Sequence, residues 1–187
     1  MKTVRPIQCS PVGIICLYGE SSLRTTIEST GYDEYLQGCA EQIIREGIRT
    51  VVLCGGKQIH SACSDTRSVC PALCQHLTRA AKTSLDTYRI EFDESSVNMP
   101  QSIAHGLRWV QMYEPWRREI HVFVDNVRWF PGWVLTRNIC SGYRTRVHSI
   151  PHPNAYSSST RRVQILRGLH YLIFPQAIEL ELDAPTG

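Results

Sequence analysis

The chain has 187 residues, of which 42% are hydrophobic and 20% charged, a composition that builds a globular core and excludes a disordered or fibrous chain. Its length is enough for one domain and too short for two of ordinary size, so residues 1–187 read as a single α/β domain. A formal net charge of +3 is weaker than the clustered basic excess of a nucleic-acid binder. The densest basic spots, Arg117-Arg118 and Arg161-Arg162, read as solvated helix and loop positions.

No apolar run reaches the roughly 20 residues of a membrane span. Lys2 and Arg5 precede the apolar stretch Val12 to Tyr18, which resembles a crude signal peptide. That stretch is short, Glu20 follows at once, and no small-x-small cleavage site is present. A buried first strand in a cytoplasmic protein is the reading adopted. Eight cysteines without a Cys-x-x-Cys pair do not make a secreted disulfide scaffold; Cys16, Cys39 and Cys54 sit on apolar stretches as small hydrophobes.

In chain order, Gly13 to Tyr18 is a compact apolar run closed by Gly19, a central strand. Asp33 to Glu46 places Tyr35, Leu36, Cys39, Ala40, Ile43 and Ile44 at helical spacing, with Gly47 as C-cap. Arg49 to Cys54 is the second strand. Pro71 suits the first turn of a helix through Leu73, Cys74, Leu77 and Ala81; a start near Asp65 would put a kink at Pro71. A weak strand follows at Tyr88 to Phe92, and Pro100 opens a helix carrying Ile103, Leu107 and Val110. Glu119 to Val124 is the fourth strand, and Gly132 to Asn138 a short helix. Arg146 to Ile150 is the fifth strand, Arg162 to Phe174 the last helix, and the alternating Ile178 to Leu182 an edge strand. Strands alternating with helices predict a three-layer, Rossmann-like α/β domain, with a mostly parallel central sheet and helices on both faces.

Ligands of such sheets bind outside the carboxyl ends of the strands, where strand order reverses. The strand ends bring Gly19, Glu20, Ser21 and Ser22; Gly55, Gly56 and Lys57; Asp93, Glu94, Ser95, Ser96 and Asn98; and Asp125, Asn126, Arg128 and Trp129. Glycines let backbone amides approach a ligand, helix N-termini favour anions, and the planar fork of Arg128 suits a phosphate or carboxylate. Glu94 is the candidate general acid or base, on the expectation that a closed loop encloses its carboxyl. The plainer reading makes these residues turn and capping groups. Gly-x-Gly-x-x-Gly, P-loop, Gly-x-Ser-x-Gly and His-Glu-x-x-His signatures are all missing.

Val51 to Gly56 reads Val-Val-Leu-Cys-Gly-Gly, Glu94 to Ser102 reads Glu-Ser-Ser-Val-Asn-Met-Pro-Gln-Ser, and Val122 to Arg128 closes a strand on Asp125 and Asn126. In this order the three stretches resemble the YdcF/SanA/ElyC-like family of Rossmann-like domains. Cys54 stands for that family's Ser, Ser96 and Asn98 fall on its Ser and Asn, Gln101 replaces Glu, and Arg128 lies near its His or Arg. Met99 and Ser102 depart from Thr and Asn. The resemblance implies a Rossmann-like fold, a link to bacterial envelope biogenesis, and a nucleotide-like ligand, with S-adenosylmethionine the candidate cofactor. The anchor helix of many members is lacking, which points to the soluble branch.

Two other readings stand beside it. His60, Cys63, Cys70, Cys74 and His76 lie close together and are zinc-ligand types, although their spacing matches no known finger. Trp109, Trp116, Trp129 and Trp133 crowd one segment and could form an interaction surface or a stacking wall.

Overall fold

A computed structural model describes residues 10–17, 32–55, 65–81, 85–151 and 158–184. Five strands form one sheet: β1 (Val12–Cys16), β2 (Thr50–Cys54), β3 (Arg89–Asp93), β4 (Glu119–Asp125) and β5 (Arg144–Ile150). Their order is β3-β2-β1-β4-β5, with every neighbouring pair parallel. The helices are α1 (Tyr32–Arg45), α2 (Asp65–Ala81), α3 (Met99–Tyr113), α4 (Trp129–Ile139), α5 (Ser158–Ile173) and α6 (Gln176–Leu182). This is the expected three-layer, Rossmann-like arrangement.

Burial on both faces explains why the central strands read as unbroken apolar runs. Val12, Ile14 and Cys16 of β1 join Val52, Val122 and Val124 beneath α3 and α4. Ile15, Val51, Leu53 and Phe123 point the opposite way, into the layer of α1 and α2. Gly106 allows α3 to lie close on β1, since a Cβ there would meet Ile14 Cγ2 at 2.8 Å. Gly47, at φ 67°, ends α1. Its amide donates to Ile44 O and that of Ile48 to Ile43 O, the paired bonds of a Schellman cap.

Three expectations need correction. Helix α2 starts at Asp65, and Pro71 lies inside it. Thr66 and Val69 are buried on its first turns, so packing holds the helix through a residue that can donate no backbone bond. The alternating tail is the helix α6, not an edge strand. Ile178 and Leu182, four residues apart, pack on the core from one helical face, and α6 lies against α3. Arg117 is not solvated; it is buried in an ion pair with Glu114, Nε to Oε2 2.6 Å. The remaining differences are of extent: α4 begins three residues before Gly132, and β5 two before Arg146.

Candidate functional site

The chain passes from β1 outward through β2 to β3, then returns to lay β4 along the other side of β1. Strand order therefore reverses between β1 and β4, where an open parallel sheet leaves a crevice at its carboxyl end. Leu17 N donates to Cys54 O, keeping the outgoing chain against β2. On the β4 side the Tyr35 hydroxyl, from the first turns of α1, lies 3.3 Å from Cys16 O and 3.2 Å from Phe123 O. One phenolic proton shared between two strand-end carbonyls ties α1 to the carboxyl ends of β1 and β4.

The most connected group on this rim lies where β3 runs into α3. Asp93 accepts from Ser95 N at 3.2 Å and Ser95 Oγ at 2.6 Å, and the Ser96 hydroxyl closes on its other oxygen. His105 Nδ1, from α3, lies 3.3 Å from both Asp93 oxygens and 3.0 Å from Ser95 Oγ. A carboxylate only accepts, so the imidazole holds Asp93 by carrying its proton on Nδ1, which leaves Nε2 as the basic nitrogen. Ser96 is buried, and the Asp93 and His105 side chains are 13% and 20% exposed.

Glu94 lacks the enclosure expected of it. Its carboxylate takes a two-pronged bond from Arg67, 2.7 Å from Nε and 3.1 Å from Nη2, across the gap to α2, and is 37% exposed. Asn98 is the N-cap of α3, accepting from Gln101 N at 2.9 Å and donating to Glu181 O at 2.9 Å. Gln101 accepts from Val97 N and donates to Ala184 O at 2.7 Å. Both amides thus tie the C-terminal helix to the rim. The Gly55 amide is already used, donating to Asp93 O at 3.0 Å.

At the end of β4, Asp125 is 1% exposed. Its Oδ1 accepts from the amides of Val127 and Arg128, and its Oδ2 takes Arg128 Nη1 at 2.7 Å. The guanidinium is therefore aligned and its charge partly balanced by Asp125. Asn126 is exposed, its amide bonded to Ile150 O, and Trp129 opens α4 with 41% of its surface in the open. Gln164 Oε1 on α5 is buried and has no hydrogen-bond partner among the described residues. It lies one turn before Gly168, which packs on Phe130 and Pro131 at the start of α4. Gly19, Glu20, Ser21, Ser22, Gly56 and Lys57 lie outside the described residues.

The zinc reading loses its geometry where it can be followed. Cys70 Sγ and Cys74 Sγ are 3.8 Å apart on one face of α2, whereas His76 is turned toward α1, its Nε2 2.8 Å from Asp33 Oδ1. Burial, then the neighbouring Cys74, pushes the Cys70 thiol up to about 11, against the thiolate that a metal needs. Among the described residues no three His, Cys, Asp or Glu side chains are grouped to hold a metal; His60 and Cys63 lie outside them. The tryptophans are also divided. Trp109 lies tilted against Tyr113, ring centroids 5.3 Å apart, and under Arg89 at the start of β3, while Trp129 and Trp133 are on α4.

His105 and Gln164 had no part in the sequence reading. His105 lies on the helix that directly follows the Asp93–Ser96 turn, but nothing in its own surroundings singles it out, and Gln164 sits on a helix remote in sequence from the α4 start that it approaches. Comparison with protein-family profiles, with curated proteins and with solved structures yields no match to this chain. No helix among the described residues is long and apolar enough to cross a membrane.

Proposed function

We propose that this chain binds a nucleotide-like or otherwise anionic small molecule at the carboxyl ends of β1, β3 and β4, with S-adenosylmethionine among the candidates. The observation that carries the reading is the reversal of strand order between β1 and β4 in an all-parallel sheet. Such a sheet offers its ligand crevice there whatever chemistry the family performs. Arg128, steadied by Asp125, is the cation of the site, and the exposed face of Trp129 is a stacking surface for a base or sugar. Asp93 and His105 replace Glu94 as the acid–base pair, because they are the better enclosed and already share a proton-bearing contact. The YdcF/SanA/ElyC-like kinship belongs to the same proposal: its three motif stretches close β2, lead from β3 into α3, and close β4. So does a cytoplasmic setting, in keeping with Cys39, Cys54 and Cys140 packed in the core as thiols that burial keeps protonated.

A thermal-shift panel of adenine nucleotides, S-adenosylmethionine and phosphosugars tests it. A ligand at about a hundred times its Kd stabilises by about 2.7 kcal/mol, or about 5 °C or more in Tm for a chain of this size. Trp129→Ala should abolish that response while leaving the unliganded Tm within about 2 °C. A panel in which nothing shifts the transition removes the proposal.

A further inference from the structure

We propose that Cys70 and Cys74 on α2 form a reversible redox switch, closing to an intrahelical disulfide when a peroxide reaches them. The two sulfurs lie 3.8 Å apart, and both residues are half-buried. The other described cysteines are closed to an oxidant. Cys16, Cys39, Cys54 and Cys140 are buried, even though Cys16 and Cys54 are register partners on neighbouring strands. Residues four apart on a regular helix have Cα atoms about 6 Å apart, which is within disulfide reach. Their Cβ atoms stand about 5–6 Å apart, where a disulfide needs roughly 3.5–4.5 Å. Closure therefore has to draw one turn of α2 in by about 1–2 Å. Pro71 lies inside that turn. It carries no N–H, so the helix bond to the Arg67 carbonyl is missing and the turn yields where a regular one would resist.

The two sulfurs have different parts. Burial, then the neighbouring Cys74, pushes the Cys70 thiol up to about 11, so Cys70 keeps its proton and Cys74 attacks first. The Cys74 sulfur takes one oxygen of hydrogen peroxide as the O–O bond breaks, and its proton leaves with the departing hydroxide as water. The Cys70 sulfur then attacks this sulfenic acid. The S–S bond forms, the S–O bond breaks, and the second hydroxide leaves as water with the proton of Cys70. Two thiols have lost two electrons and two protons, and the peroxide has gained them. A dithiol reductant reverses the step by exchange. The effect reaches the end of β3, because Arg67 holds Glu94 through two nitrogens, at 2.7 and 3.1 Å. Drawing in the turn that follows Arg67 shifts that grip on Glu94. The thiol chemistry itself needs no ligand at the rim, so switch and ligand binding succeed or fail separately.

Peptide mass mapping of the full chain tests this. Trypsin, cutting after Arg67 and Arg79, places both cysteines on the peptide 68–79 and leaves Cys63 on the one before it. After hydrogen peroxide and alkylation, that peptide should be unalkylated and lighter by two hydrogens, and dithiothreitol should return it to the dithiol. Cys70→Ser should stop at a sulfenic acid on Cys74, captured by dimedone. Pro71→Ala restores the backbone bond, and should move the equilibrium with glutathione at least about tenfold toward the dithiol. In ¹⁵N-labelled wild type, oxidation should move the amide resonance of Glu94. A pair still open to alkylation after peroxide, a bond from either cysteine to Cys63, a Pro71→Ala equilibrium equal to the wild type, or an unmoved Glu94 would each overturn the proposal.

Discussion

The two ends of the sheet handle charge in opposite ways. At the amino end, Glu114 and Arg117 are both almost fully buried, and Thr50 Oγ1 donates to Glu114 Oε1 at 3.1 Å. Arg117 Nη1 also donates to Ser10 O at 2.5 Å, so the pair ties the start of β2, the turn after α3 and the chain before β1 together. A second polar chain enters from that end: His148 Nε2 lies 2.9 Å from His121 Nδ1, and His121 Nε2 lies 3.2 Å from Glu119. At the carboxyl end the carboxylates satisfy mainly their own turns. Asp93 holds Ser95 and Ser96, Asp125 holds the next amides, and Glu94 meets Arg67 in the open. The first end is a closed network joining distant segments; the second is a row of preorganised local groups with surface still exposed. Charge at the amino end joins distant segments, and charge at the carboxyl end is held locally and left partly open, as the proposed ligand site requires.

The comparison breaks most visibly at Glu114. Removing it leaves the buried Arg117 charge without its carboxylate, so Glu114→Ala should cost about 3–5 kcal/mol and lower Tm by roughly 10 °C, read by calorimetry. Acid should strike the same end next. Burial first, and then the neighbouring His121, lowers the pKa of His148 from 6.5 to about 4. The unfolded chain therefore takes up a proton that the folded one refuses. This contribution is whole above about pH 6.5 and is lost as pH falls toward about 4. Denaturant titrations should show a loss on the order of 2 kcal/mol over that window, and His148→Leu should flatten the slope.

Effects at the carboxyl end should be smaller on stability and larger on binding. Asp125→Ala removes the acceptor for two turn amides and one arginine bond, and should cost about 1–2 kcal/mol in urea melts. Glu94→Gln should cost less than about 1 kcal/mol, because its pair with Arg67 is solvent-exposed. A Glu94 variant as destabilised as Glu114→Ala would erase the distinction between the two ends.

What the residues reveal on their own follows the same division. The central strands are legible because burial on both faces demands unbroken runs such as Val51 to Leu53, and α1 because its apolar stripe ends on Gly47. The tail misleads because Ile-Glu-Leu-Glu-Leu alternates with the period of a strand, while its Ile178–Leu182 pair equally suits one helical face. Pro71 argues for a helix start, yet the burial of Thr66 and Val69 outweighs it. Arg117 looks solvated beside Arg118, since nothing local announces that Ser10 will take its guanidinium or that Thr50 will fix its partner Glu114. At the rim the short turns Asp93–Ser96 and Asp125–Arg128 are visible as runs of polar residues. His105 comes from the helix that the first turn opens, two turns along and unmarked by any motif, whereas Arg67 comes from α2 and only the folded chain brings it there.

The most direct test is to titrate ¹⁵N-labelled protein with adenine nucleotides and S-adenosylmethionine and follow the amide resonances. Binding at the carboxyl rim should move Gly55, Glu94 to Asn98 and Asn126 to Trp129, and leave Glu114 to Arg118 in place. Shifts confined to Glu114 to Arg118, or a spectrum that no ligand in the series perturbs, would contradict the account.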